Sequence, residues 1–115
     1  MDLPATFDNL IEAATKQALY KKLVHQLNKD FLYANIDLEL DDNILPTSLK
    51  LILHETVYKL INEKFADYLN LLYIIDVSEA KVRHLDGTDI VKLSEQIAFL
   101  ILQREWQKVW FKNRY

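Results

Sequence analysis

Between Ile90 and Phe111 the chain runs for 22 residues without a glycine or a proline, and this stretch holds both tryptophans. It is the least polar segment of the sequence. Thr88 and Asp89 stand just ahead as N-cap candidates, and Gly87 is a natural stop for whatever precedes. The segment therefore reads as a helix. At about 100° per residue, Ile90, Leu93, Ile97, Leu100 and Ile101 share one face. After Leu102 that face carries Arg104, Glu105 and Lys108, while Leu102, Trp106, Val109 and Trp110, joined by Phe99, extend the apolar surface around the flank and back. A swing of roughly a third of a turn exceeds the drift of a single coiled-coil seam. Such a helix must touch neighbours in two directions.

Two arrangements satisfy that requirement. Another element of the same chain can cover the second side, making this helix the centre of a bundle. Alternatively Phe99, Trp106 and Trp110, with Phe111 and Tyr115 beyond them, form an interface with a second subunit or another protein.

The chain has 115 residues, enough for one domain spanning 1–115, and half of them are apolar. One glycine and two prolines leave long runs unpunctuated, which favours helices. The expected fold is all-α: a compact bundle of three main helices and one short connecting helix, with an extended acidic segment at about 35–43.

Residues 6–30 read as the first helix, capped by Thr6 and carrying Asp8 and Glu12 near its positive end. Its apolar face is Phe7, Leu10, Ile11, Ala14 and Ala18 at first, then Tyr20, Leu23, Val24, Leu27 and Phe31 on nearly the opposite side. Either the helix bends or breaks near 15–19, or its first turns pack on something different from its last. Residues 32–47 interrupt the helical pattern. There Ile36, Leu38 and Leu40 alternate with Asp37, Glu39 and Asp41, the period of a half-buried extended segment. It can lie over the bundle or pair with its copy in another subunit.

Residues 48–75 read as one long helix starting beside Pro46, with a continuous face of Leu53, Val57, Leu60, Ile61, Phe65, Tyr68, Leu72 and Ile75. Glu55, Lys59 and Glu63 mark its solvent side. A short helix over 79–85, capped by Ser78 or Asp76, then links the two longest helices and lets them lie antiparallel.

The search for chemistry yields little. Asp37-x-Glu39-x-Asp41 has calcium-loop spacing, but Asp42 stands where the turn glycine belongs and Ser48 where the bidentate glutamate belongs. The histidines, His25, His54 and His84, lie in three separate segments, and Tyr58 occupies the position a second zinc-protease histidine would need after His54-Glu55. One glycine allows neither a P-loop nor a dinucleotide fingerprint, and no cysteine is present for a thiolate, disulfide or zinc site. No catalytic, cofactor-binding or metal residue is assigned, and no cofactor is expected.

The longest apolar run, Ile97 to Leu102, is far short of a membrane span, and no secretory leader is visible. A cytoplasmic location is expected. The leading functional expectation is a small non-enzymatic interaction module, a homodimer through the aromatic face of the C-terminal helix. The alternative is a nucleic-acid-binding protein. From Lys92 onward, Lys92, Arg104, Lys108, Lys112 and Arg114 outnumber Glu95 and Glu105 and interleave with aromatic residues. A hydrolytic or metal-dependent enzyme working through an acidic cleft is the third reading. It would require a buried cluster of carboxylates with raised pKa values.

Overall fold

The computed structural model describes residues 2–114, and among these the regular elements are six helices with no strand. They are α1 (Phe7–Lys16), α2 (Tyr20–Tyr33), α3 (Pro46–Glu63), α4 (Phe65–Ile75), α5 (Glu79–Arg83) and α6 (Ile90–Lys112). The all-α bundle is thus present, with α6 packed against α1, α2, α3 and α4. Its caps are as the sequence implies: Thr6 Oγ1 accepts from Asn9, Ser78 Oγ from Lys81 and Asp89 Oδ1 from Lys92.

Two of the three expected long helices are broken, which corrects the simple count. The first stops at Gln17 and restarts at Tyr20, with Ala18 at φ 56° in the left-handed region. This is where its apolar face changes sides. The second break, at Lys64 (φ −142°, ψ 63°), had no warning in the pattern. It matters for function. It turns Phe65 away from the core, where the continuous face of the sequence had placed it, and brings Leu71 in beside Tyr68 and Ile75. The start of α3 also moves two residues earlier, to Pro46, whose fixed φ suits a first helical turn.

The segment between α2 and α3, expected to be extended over 35–43, pairs with no strand and is not continuously extended: Asn35 (φ 62°) and Glu39 (φ 48°) stand in the left-handed region and 42–43 form a turn. Leu40 is buried, Ile36 and Leu38 pack half-buried against the core, and Asp37 and Glu39 face solvent. Asn28 of α2 holds it in place: its side-chain amide donates to the Leu40 carbonyl at 3.0 Å and accepts from the Leu40 N–H at 2.9 Å. One side chain thereby satisfies both backbone groups of a buried residue.

Along α6, the side chains below about a tenth exposure are Ser94, Ile97, Ala98, Ile101, Leu102, Glu105, Trp106 and Val109. They span roughly 180° of its circumference. The apolar surface therefore widens rather than swinging away. Of the polar residues that seemed to mark a solvent side, Glu105 and Lys108 lie inside that arc and Arg104 just beyond its edge.

Candidate interaction surface

The five aromatic residues expected at an interface do not form one patch. Trp106 is 1% exposed and belongs to the core, as another element of the same chain covering the second side requires. Phe99 is half-buried and lines a groove of about 720 Å³ between α3 and α6, with Phe7, Leu51 and Leu102 among its other walls. Trp110 is half-buried, stacked edge-on to Phe111 at 5.0 Å and covered on its other side by the Arg114 guanidinium at 4.0 Å. Phe111 is exposed at the end of α6. Tyr115 lies outside the described residues.

The exposed apolar surface that sequence periodicity missed is on α4. Phe65, Leu69 and Tyr73 follow one another at i, i+4 and i+8, and they are 55%, 51% and 84% exposed. Along this stripe Phe65 leans on Tyr68, ring centroids 5.4 Å apart, while the rest faces solvent. The opposite side of the same helix supplies Tyr68, Leu71 and Ile75 to the core. Asp67 is the sole charged residue of α4 and sits roughly 160° around the helix from Leu69. On α3, by contrast, the exposed Leu51 and Tyr58 have the exposed Glu55 between them.

The bases of the C-terminal quarter are largely engaged within the chain. Arg104 donates to the Asp76 carboxylate at 3.2 Å and to its carbonyl at 3.1 Å. Lys108 Nζ lies 3.0 Å from Asp30 Oδ2, and Lys112 Nζ donates to Gln26 Oε1 at 2.8 Å. Lys112 and Trp110 point roughly 160° apart around α6, so the interleaving of bases and aromatics along the sequence becomes a mixed surface only where Arg114 lies over Trp110.

Between α2 and α6 the structure buries two carboxyl groups. Asp30 is 6% exposed and Glu105 is wholly enclosed. Burial pushes the Glu105 carboxyl up to about 9, and the neighbouring Asp30 adds to the rise, while Lys108 opposes it. For Asp30, burial is also the largest influence and acts upward, but hydrogen bonds from Glu105, Gln26 and Lys108 and the charge of Lys108 together hold it below its ordinary value. One carboxylate is therefore ionised and paired, and the other holds its proton. Neither Glu105 oxygen has a well-formed hydrogen bond; the Lys108 ammonium stands 3.4 Å from Oε2. Only one of the two carboxyls is raised; Glu105 is fully enclosed, and Asp30 keeps a small exposure.

Among the described residues, no group of three or more His, Asp or Glu side chains is placed to hold a metal ion. His25 faces Asp42 at 2.7 Å, His54 contacts the Val91 carbonyl at 3.1 Å, and His84 caps the end of α5. The acids at 37–42 serve local structure, with Asp41 accepting from the Asn43 N–H at 2.8 Å. Among the described residues, no helix is long and apolar enough to cross a membrane.

Comparison with protein-family models, with curated proteins and with solved structures found no match for this chain.

Proposed function

We propose that this protein is a non-catalytic interaction module that forms a homodimer, and that the docking face is the α4 stripe of Phe65, Leu69 and Tyr73. The observation that carries the reading is that α4 is apolar on two sides while its own chain covers one. A stripe without charge gives little means of discriminating between partners, and it complements a second copy of itself across a two-fold axis. The monomer's core is otherwise closed. Its accessible surface of 7102 Å² is close to the roughly 6,600 Å² expected for a free-standing monomer of this mass. Association would then join two finished folds. The cytoplasm is the proposed setting, in keeping with a core built without any cysteine.

Leu69→Glu tests the proposal. Sedimentation equilibrium of the wild-type chain should give twice the 13.6 kDa monomer mass, and the variant should give the monomer mass with an unchanged helical spectrum. A wild-type chain that stays monomeric at high micromolar concentration would sink the dimer.

A further inference from the structure

A second surface, separate from the α4 stripe, gathers positive charge that the fold does not neutralise. It is a cleft of about 180 Å³ between α2 and the end of α6, lined by Lys22, His25, Gln26, Lys29, Lys112 and Asn113 over a floor of Val109. Among the described residues, no carboxylate lines it.

The way these lysines are held is informative. Lys22 Nζ donates to Asn113 Oδ1, and Lys112 Nζ donates to Gln26 Oε1 at 2.8 Å. Both bonds cross between the two helices, and both end on a neutral amide. They fix the ammonium groups beside the cleft without cancelling their charge. Lys29 adds a third ammonium from the next turn of α2. The nearest acids are otherwise committed. Asp42 faces His25, and Asp30 sits behind Gln26, accepting from its Nε2 at 2.9 Å and from Lys108. Lys16 and Lys108 differ in being paired with carboxylates, Glu12 and Asp30.

We propose that this cleft is a binding site for the phosphate group of a small ligand. Three ammonium groups with spare donors, flanked by amide groups, match a tetrahedral dianion whose oxygens accept several hydrogen bonds. The volume suits one phosphate or pyrophosphate. An extended polyanion fits less well, because positive charge does not continue along either helix. Arg104 and Lys108 are tied to Asp76 and Asp30, and beyond His25 and Lys29, which line both, the adjoining groove carries Asp37 and Glu39.

Calorimetric titration of the full chain with inorganic pyrophosphate at low ionic strength tests the site. Saturable binding is expected with a Kd below about 1 mM. Lys22→Ala and Lys112→Ala should each weaken it about fivefold, the scale of one ammonium–anion contact in water. Lys59→Ala, on the solvent side of α3, should leave it unchanged. Lys29 makes no side-chain hydrogen bond among the described residues, so Lys29→Ala keeps the test decisive if another variant fails to fold. No binding, or binding equal in all variants, overturns the proposal. So does affinity that is negligible for pyrophosphate but grows with the length of a single-stranded oligonucleotide.

Discussion

Helices α4 and α6 both carry apolar residues on two sides, but the chain covers most of both sides of α6, Phe99 at the groove and Phe111 at the end excepted, and only one side of α4. The difference lies in position. The α6 helix runs through the middle of the bundle and meets four other helices, so its 23 residues can be buried over about half their circumference. The shorter α4 packs on α2, α3 and α6 from the outside, and the break at Lys64 sets which of its residues face in. A two-sided apolar helix is therefore not by itself an interface. It becomes one where the remainder of the fold runs out of surface to cover it.

The sharpest way to break this contrast is Trp106→Ala. If Trp106 is core, removing it costs about 3–5 kcal/mol of folding stability in a denaturant titration. A loss below about 1 kcal/mol would put its ring at the surface and erase the distinction between the two helices.

The buried face of α6 offers a second test, through pH. The Glu105 carboxyl titrates near its ordinary value of 4.5 when unfolded but near 9 when folded, so the folded chain holds a proton that the unfolded chain releases between those values. Stability is therefore complete at and below the unfolded value and falls as pH rises towards 9, by at most about 1.4 kcal/mol per pH unit. Asp30 acts in the opposite sense and only in acid: the stability it supplies is present above its ordinary value of 3.8 and lost as pH falls through its lowered one. Glu105→Gln should remove the decline between pH 6 and 9 while preserving the fold. Denaturant midpoints measured across that range check it, and an identical decline in the variant would place the titrating group elsewhere.

The smallest effect is expected on α4. Tyr73→Ala should change monomer stability by less than about 0.5 kcal/mol, because the side chain is 84% exposed, yet it should weaken self-association measured by light scattering. A large stability loss with no change in mass would mean that the stripe belongs to the monomer's own packing.

Much of this fold was legible in the sequence. The α6 boundaries, the caps at Thr6, Ser78 and Asp89, the break near residue 18 and the inward set Ile36, Leu38 and Leu40 all follow from periodicity and cap chemistry. The break at Lys64 did not, because Glu63-Lys64-Phe65 contains no residue that disfavours helix and the apolar spacing runs straight through it. Tertiary packing decides that point, and with it the exposure of Phe65, Leu69 and Tyr73. Glu105 was misleading for a related reason. Next to Arg104 and Lys108 it reads as part of a solvated face, and only the arrival of Asp30 from another helix shows it to be enclosed. Pattern reading assigns charge to the outside. It has no way to see two carboxyls brought together from helices far apart in the chain.

The Asn28 clamp on Leu40 has a consequence for how the chain behaves at high concentration. An unpaired extended stretch with alternating apolar residues is an open template on which other copies can stack and grow into fibrils. Here a side-chain amide occupies the Leu40 N–H and C=O that a neighbouring strand would otherwise capture. The clamp thus takes the Leu40 backbone groups out of reach of another copy, and the left-handed Glu39 beside it (φ 48°) keeps the alternating segment 36–40 from presenting a straight strand.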